Sequence, residues 1–284
     1  MSAPPASVVV VGGGTMGAGI AHLFAAVGST VVVLEADQAL ADAAIGRVGA
    51  SLAKAEEKGK LASASAAATL ARISAVTEAA DLPEAELYVE AVPEDAALKA
   101  AVLRTLAGVA GAGAVLATNT SSLSVADLAA AVERPERFCG MHFFNPVPAS
   151  ALVELVRHPV TTDEVLDRVR GWVAAVGKEA IVVRDSPGFA TSRLGVAVGL
   201  EAIRMLEEGV ASADDIDAGM RLGYRWPMGP LRLTDLVGLD VRLGIAEYLA
   251  TTLGTRFDPP PLLRAMVARG HLGQKSGHGF YRWD

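Results

Sequence analysis

The chain has 284 residues, 51% of them hydrophobic and 20% charged, so it is long enough for two modest domains with a core each. A formal net charge of −7 argues against a nucleic-acid partner, because a phosphate backbone selects for clustered Lys and Arg. Residues 7–34 carry no charged side chain, but no basic residue precedes them and three glycines interrupt them, which argues against a secretory signal or a membrane partner. The single cysteine, Cys139, allows no internal disulfide, and we expect a cytoplasmic protein.

Apolar or β-branched runs alternate with longer alanine-rich stretches over the first 185 residues. Strands separated by helix-length connections indicate βαβ units and a mostly parallel sheet. The predicted strands are Val8 to Val11, Thr30 to Glu35, Arg72 to Val76, Glu86 to Val92, Ala114 to Thr118, Arg137 to Phe143, Ala151 to Val156 and Ala180 to Arg184. We expect the sixth and seventh to pair antiparallel.

The pattern changes after Asp185, where Pro187 and Gly188 end the last predicted strand. Helical spacing then predicts helices near residues 190–209, 212–223 and 231–253. The sequence therefore predicts two domains, residues 1–185 and an all-helical domain of residues 186–284.

A glycine-rich segment, GGGTMG at residues 12–17, lies directly after the first predicted strand and before a helical run. In a G-x-G-x-x-G loop the first glycine makes a tight turn, the second lets the backbone approach a pyrophosphate, and the third permits close packing of helix on strand. The phosphates then meet the positive end of the helix dipole. The first domain is thus predicted to be α/β, a Rossmann-type doubly wound sheet. Its dinucleotide contacts would be Gly12, Gly14, Thr15, Met16 and Gly17.

An acidic residue, Glu35, ends the second predicted strand. Its carboxylate can accept hydrogen bonds from the adenosine ribose hydroxyls and would repel a 2′-phosphate, so NAD is predicted rather than NADP. Asp37 is close enough in sequence to share this role. The alternative is an ordinary glycine turn beside a solvated glutamate.

A lone histidine, His142, and a carboxylate, Glu154, lie in the sixth and seventh predicted strands. An antiparallel return centred on Pro148 places them opposite each other, where cross-strand side chains can hydrogen-bond. A carboxylate on one imidazole nitrogen fixes the tautomer and stabilises the imidazolium that forms when the other nitrogen takes a proton. The pair predicts a catalytic base, with a structural histidine as the alternative.

Six further motifs follow the glycine loop in order: NTSS at 119–122, HFFNP at 142–146, LVELV at 152–156, PGF at 187–189, PMGP at 227–230 and KSGHGFY at 275–281. In this combination the chain resembles 3-hydroxyacyl-CoA dehydrogenases over nearly its whole length. It is especially similar to the short-chain, 3-hydroxybutyryl-CoA type.

The resemblance implies an NAD domain joined to a helical domain that forms a homodimer, and an acyl-CoA substrate in the cleft between them. The reaction would interconvert an (S)-3-hydroxyacyl-CoA and a 3-ketoacyl-CoA. His142 would exchange the proton of the 3-hydroxyl, Glu154 would orient it, and Ser121 would contact the reacting oxygen and the cofactor. Ser121 could instead cap the helix that follows, although Asn119 and Ser122 suit that position better. No metal is expected.

Further contacts are implied by the resemblance alone. Glu94, Lys99 and Lys275 match positions that contact NAD, although the first two could simply start a solvated helix. Ser51 and Lys58 match positions that contact coenzyme A, where lysines would supply a local basic patch.

One position departs from the family pattern. Ser192 stands in GFATSR at 188–193, where the family has an asparagine that contacts the substrate near the reacting carbonyl. The shorter hydroxyl implies either a slower enzyme or a pocket shaped for another acyl chain. Two other functions stay open: a hydroxy-acid or sugar-acid dehydrogenase of the related crystallin-like branch, and a non-catalytic NAD-binding protein.

Overall fold

The computed structural model describes residues 3–61 and 63–283. For residues 63–65 it describes the backbone alone. It divides into two compact units, residues 1–185 and 186–284.

In the described part of the first unit, eight strands form one sheet in the order β3-β2-β1-β4-β5-β6-β7-β8. Every neighbouring pair is parallel except β6 and β7. The strands are β1 (Ser7–Val11), β2 (Thr30–Leu34), β3 (Ile73–Val76), β4 (Leu87–Glu90), β5 (Val115–Thr118), β6 (Phe138–Phe143), β7 (Leu152–Arg157) and β8 (Glu179–Arg184). This order confirms the predicted Rossmann-type α/β fold, in which the strand order reverses beside β1 and ligands bind at the carboxyl ends of the strands.

Six helices of the described first unit connect these strands. They are α1 (Thr15–Ala26), α2 (Gln38–Glu57), α3 (Ser63–Leu70), α4 (Ala96–Val109), α5 (Val125–Ala129) and α6 (Asp163–Ala175). Side-chain caps fix where several of them begin: Asp37, Asp95 and Thr162 accept from the backbone N–H three residues on. Asp37 therefore caps α2, which gives it a structural role beside Glu35.

Helices on both sides explain why the central strands are continuous valine runs, since a parallel sheet buries both of its faces. Val8, Val9 and Val10 of β1 are at most 1% exposed. The uncharged stretch at residues 7–34 is therefore interior sheet and helix. No helix in the described ranges is long and apolar enough to cross a membrane.

The second unit is helical, as predicted. Its helices are α7 (Thr191–Glu207), α8 (Ala213–Ala218), α9 (Pro230–Val237), α10 (Leu239–Leu253) and α11 (Pro261–Ala268). The single helix predicted at 231–253 is wrong. Gly238, with φ +101°, breaks it into α9 and α10, because that backbone conformation is open to glycine and not to a helix. The helix predicted at 212–223 is shorter as an α-helix: α8 ends at Ala218. A π-helical turn over Gly219–Gly223 follows it.

The carboxyl-terminal segment is held by one buried carboxylate, Asp235 of α9. It accepts from the backbone N–H groups of Phe280 and Tyr281, each at 2.9 Å, and from the indole Nε1 of Trp283 at 2.8 Å. A Cβ on Gly279 would lie 2.1 Å from an Asp235 oxygen, so the KSGHGFY motif needs glycine there to make this clasp.

Candidate active site

The glycine loop turns the chain from β1 into α1. Gly12 has φ +88°, and a Cβ on Gly17 would lie 1.7 Å from the Gly12 carbonyl oxygen. Nothing lies within 4 Å of where a Gly14 Cβ would be. Gly12 therefore makes the turn, Gly17 permits the packing, and Gly14 leaves the helix N-terminus open to a ligand.

Two charged side chains bind the backbone of this loop at Gly13. Glu35 Oε1 accepts from the Gly13 N–H at 2.5 Å, and a guanidinium nitrogen of Arg47 on α2 donates to the Gly13 carbonyl at 3.0 Å. Arg47 had no role in the sequence-based prediction, since nothing in a helix of mixed composition indicates which of its faces meets the loop.

A cavity of about 810 Å³ lies beside the loop, within the first unit. Its volume is in the range of small-molecule and cofactor sites. Among its lining residues are Gly12, Gly14, Thr15, Met16, Glu35 and Arg47, together with apolar side chains such as Leu40 and Val102. Backbone N–H groups for phosphates, a carboxylate for ribose hydroxyls and apolar walls for a base all fit a dinucleotide.

His142 and Glu154 lie opposite each other on β6 and β7, in the register predicted from the sequence. Nδ1 of His142 is 3.0 Å from Oε2 of Glu154. His142 is 6% exposed and Glu154 is fully buried, so little water competes for this bond. The Phe144 ring lies 4.4 Å from the imidazole, between ring centroids. Since the carboxylate lies at Nδ1, it favours the tautomer that carries its proton on that nitrogen.

The turn between these strands is tied down by side chains from other elements. Lys178, just before β8, donates from Nζ to the carbonyl of Val147 at 2.7 Å and also to that of Ser150. Burial lowers the pKa of Lys178. Asn119 accepts from the Phe143 N–H through its side-chain oxygen at 3.0 Å. These contacts fix the strand that carries His142, and sequence reasoning assigned neither of them.

Ser121 lies on the loop after β5. This loop is held by hydrogen bonds to a single carboxylate, that of Glu94. Oε1 of Glu94 accepts from the Thr120 hydroxyl at 2.7 Å and from the backbone N–H groups of Ser121 and Ser122 at 2.9 and 3.1 Å. Burial raises the pKa of Glu94, but the charge of Lys99 and these hydrogen bonds outweigh it and leave the pKa below its usual value. Glu94 thus orders the loop that holds Ser121.

The helix α5 after this loop is capped by Ser124, whose hydroxyl accepts from the Asp127 N–H at 3.1 Å. The prediction that Asn119 or Ser122 fills this position is wrong. Ser121 makes no cap either, because it lies three residues before the cap.

Lys99 is 1% exposed and lies inside the first unit, so the interpretation of a solvated helix start is wrong for it. Its Nζ donates to Oε1 of Glu90 at 2.8 Å and to the Val92 carbonyl at 3.0 Å, and lies 3.4 Å from Glu94. Glu90 in turn accepts from the Thr118 hydroxyl at 2.6 Å. This network joins the ends of β4 and β5 below Ser121, and sequence reasoning missed Glu90 because it ends an otherwise apolar strand.

The two residues matched to coenzyme A lie on and just after α2. The Ser51 hydroxyl is 2.8 Å from Nδ1 of the buried His22, whose pKa is lowered by burial. Lys58 is exposed directly after the last turn of α2, with Lys54 and Lys60 also exposed. The three lysines are therefore at the surface, with Glu57 exposed among them, while Ser51 is also bound to the interior.

Ser192 and Lys275 belong to the second unit. Ser192 is half-buried in the first turn of α7. Nζ of Lys275 lies 2.6 Å from a carboxylate oxygen of Asp240, so its charge is paired inside its own unit. Across the described ranges, no group of three or more His, Cys, Asp and Glu side chains could hold a metal ion.

The chain matches two family models. Residues 7–186 match the NAD-binding domain of 3-hydroxyacyl-CoA dehydrogenase, and residues 188–283 match the C-terminal domain of 3-hydroxyacyl-CoA dehydrogenase.

Similar proteins match over nearly their full length. A probable 3-hydroxybutyryl-CoA dehydrogenase of Bacillus subtilis is 40% identical, over 98% of this chain and 97% of its own. A mitochondrial hydroxyacyl-coenzyme A dehydrogenase of Sus scrofa is 39% identical, over 97% of this chain and 90% of its own. The crystal structure of (S)-3-hydroxybutyryl-CoA dehydrogenase from Ralstonia eutropha is similar with a TM-score of 0.92 and 42% identity, covering 99% of each chain.

Proposed function

We propose that this chain, which belongs to the 3-hydroxyacyl-CoA dehydrogenase family, interconverts (S)-3-hydroxyacyl-CoA and 3-ketoacyl-CoA with His142 as the proton-exchanging residue. The family match confirms the predicted enzyme class and the NAD cofactor. The proposal extends to short acyl chains, which the names of the relatives support. It also extends to a homodimer, from the family resemblance, and to a cytoplasmic location, from the single cysteine.

The observation that carries the proposal is the buried hydrogen bond between His142 and Glu154. Oxidation removes the proton of the 3-hydroxyl and a hydride from C3 of the substrate. Bound NAD would supply the acceptor for that hydride. Nε2 of His142 takes the proton, and Glu154 at Nδ1 holds the tautomer and stabilises the imidazolium that results. In the reverse direction the imidazolium returns the proton to the carbonyl oxygen.

Ser121 is proposed to donate its hydroxyl to the reacting oxygen. Its support is the order of its loop, because Glu94 fixes the backbone at Ser121 and Ser122 through two N–H donors. The Ser121 hydroxyl donates to Oε1 of Glu94 at 3.2 Å, so it would turn from Glu94 to the substrate while the ordered backbone keeps it close. Glu94 and Lys99 would then serve the cofactor by holding this loop in shape: Glu94 binds its backbone, and Lys99 is paired with Glu94.

The cofactor contacts are proposed from the geometry of the loop and cavity. The N–H groups near Gly14 would bind the pyrophosphate, and Glu35 would exchange its contact with Gly13 for the ribose hydroxyls. Lys275 would contact the cofactor only by leaving Asp240. Ser51 and Lys58 would bind coenzyme A, with Lys58 placed to meet a phosphate.

The test is a comparison of substrates with the purified protein. NADH formation from (S)-3-hydroxybutyryl-CoA, with no turnover of free 3-hydroxybutyrate or gulonate, is the expected result. Oxidation of the free acids but not of the thioesters would instead favour the crystallin-like activity. NAD binding without turnover of thioesters of any chain length would favour a non-catalytic protein.

A further inference from the structure

A buried lysine beside the cavity of the first unit carries an inference about how the cofactor site is kept in shape. Lys99 is 1% exposed. Three oxygen atoms surround its ammonium: Oε1 of Glu90 at 2.8 Å, the Val92 carbonyl at 3.0 Å and Oε2 of Glu94 at 3.4 Å. An ammonium has three protons to donate, and three protein acceptors account for all of them. Lys99 therefore has no donor left for a ligand.

Lys99 also lies outside the wall of the cavity. Of the described residues, Ala91, Val92 and Pro93 line the cavity at this point, whereas Lys99 does not. Val92 is held from both sides, because its N–H donates to Oε1 of Glu90 at 2.8 Å and its carbonyl accepts from Nζ of Lys99 at 3.0 Å. The pair of Glu90 and Lys99 thus fixes the two peptide groups that flank Val92 in the cavity wall.

The glycine loop packs against this same backbone. The Ala91 N–H donates to the Val11 carbonyl at 2.8 Å, directly before the loop. A Cβ on Gly12 would lie 3.0 Å from the Ala91 carbonyl oxygen and 3.1 Å from the Val92 nitrogen. A shift of the peptide between Ala91 and Val92 would move the turn at Gly12, because a close-packed interior has no gap that absorbs the movement. The shape of the glycine loop therefore depends on the position of Val92.

The pair also supports the loop after β5. Oε2 of Glu90 accepts from the Thr118 hydroxyl at 2.6 Å. Glu94, the second carboxylate beside Lys99, accepts from the backbone N–H of Ser121 at 2.9 Å. One buried network therefore runs from the backbone beneath the glycine loop to the loop that holds Ser121.

Stability alone is a poor reason to bury these charges. A buried ion pair is often no more stabilising than well-packed apolar residues of similar volume, because both charges lose their hydration. A fully satisfied polar network does rigidify its surroundings. We propose that Glu90 and Lys99 are positioning residues for NAD, which hold Val92 against the glycine loop and do not contact the cofactor. This differs from the contact with NAD that the resemblance implies for Lys99, and it rests on the proposed placement of the cofactor at the glycine loop.

The test is the dissociation constant of NAD, measured by titration of the purified protein in the absence of thioester. Glu90→Met and Lys99→Met should each weaken NAD binding by about tenfold, because each variant frees one side of Val92. A direct contact between Lys99 and NAD predicts opposite results for the two variants. Lys99→Met would then lose a ligand, whereas Glu90→Met keeps the ammonium and frees it from a competing carboxylate.

Two controls separate positioning from a general loss of stability. Thr161→Val removes a buried hydroxyl that donates to the Phe138 carbonyl at 2.9 Å, at the amino end of β6. It should lower the melting temperature and leave the dissociation constant of NAD unchanged. The double variant Glu90→Met with Lys99→Met removes both charges of the pair, so its melting temperature should lie above those of the single variants. Its affinity for NAD should stay as low as theirs, because Val92 is still free.

An unchanged dissociation constant in Glu90→Met overturns the inference. So does a double variant whose affinity for NAD returns together with its melting temperature, since the pair would then act through stability alone. If a single variant does not fold, the double variant gives the answer: an affinity equal to that of the unmodified protein overturns the inference. An unmodified protein that binds NAD but shows either result leaves the proposed function standing, whereas one that binds no NAD contradicts the proposed function itself.

Discussion

Nδ1 of His142 and Oε2 of Glu154 lie 3.0 Å apart across two antiparallel strands, and both side chains are buried. Glu154→Gln replaces the carboxylate by an amide of the same shape but without charge, so the imidazolium loses its stabilisation. We expect kcat to fall at least about tenfold, with a smaller change in KM. A double-mutant cycle with His142→Gln should show losses that do not add, since the two residues act as a unit. Additive losses would mean that Glu154 acts on something other than His142.

Replacing Glu35 should relax the choice of cofactor. Glu35→Ala removes the carboxylate that would repel a 2′-phosphate and leaves Arg47 at the same loop. The ratio of kcat/KM for NADP over NAD should rise at least about tenfold, because a guanidinium binds phosphate well. Glu35→Ala combined with Arg47→Ala is the control and should lose most of the gain. An unchanged ratio in Glu35→Ala would contradict the assigned ribose contact.

Glu94 gives a prediction for acid stability. Its pKa is lower in the folded protein than the ordinary 4.5, so its stabilising contribution is fully present above that value and is lost as pH falls through the folded pKa. Glu94→Gln should therefore lower the melting temperature near neutral pH, and the difference from the unmodified protein should shrink below about pH 4.5. Glu133→Gln, at an exposed carboxylate, is the matched control. A melting-temperature difference that grows on acidification would contradict a lowered pKa for Glu94.

Ser192→Asn tests the departure from the family pattern. If position 192 has the role that the family resemblance implies, the longer amide of asparagine would be the better donor to the reacting oxygen. Since one well-aligned donor to such an oxygen is worth about 10²- to 10³-fold in rate, kcat for (S)-3-hydroxybutyryl-CoA should rise at least about tenfold. Steady-state kinetics of Ser192→Asn and of the unmodified protein tests this prediction. No gain would mean that Ser192 already serves the substrate of this chain.

Much of the first unit was predictable, because local signals and the sheet agree. The valine run of β1, the glycine loop and Glu35 occur in the order expected of a βαβ unit. His142 and Glu154 are equally far from Pro148 in sequence, and this symmetry predicted their register. The predictions that were wrong depend on which way a side chain faces. The sequence around Lys99 predicts an exposed side chain, but Lys99 is buried against Glu90. Three serines within four residues, 121, 122 and 124, give no sign that Ser124 is the cap.

The second unit was predicted less well. A helix pattern over 231–253 continues through Gly238, and only the tertiary path shows that φ is positive there. Arg242 of α10 illustrates the same limit, since it is buried although an arginine in an amphipathic helix is normally exposed. Its burial depends on Gly195 and Gly199 of α7, which lie beside its guanidinium, a pairing that the sequence of either helix alone does not contain.

The most direct test of the account is single-turnover oxidation of (S)-3-hydroxybutyryl-CoA by His142→Ala, measured beside NAD binding to the same variant. Loss of the group that takes the 3-hydroxyl proton should slow the chemical step by at least about 10²-fold, while the dissociation constant for NAD stays within about twofold. Turnover at the rate of the unmodified protein would contradict the assignment of His142 as the proton-exchanging residue.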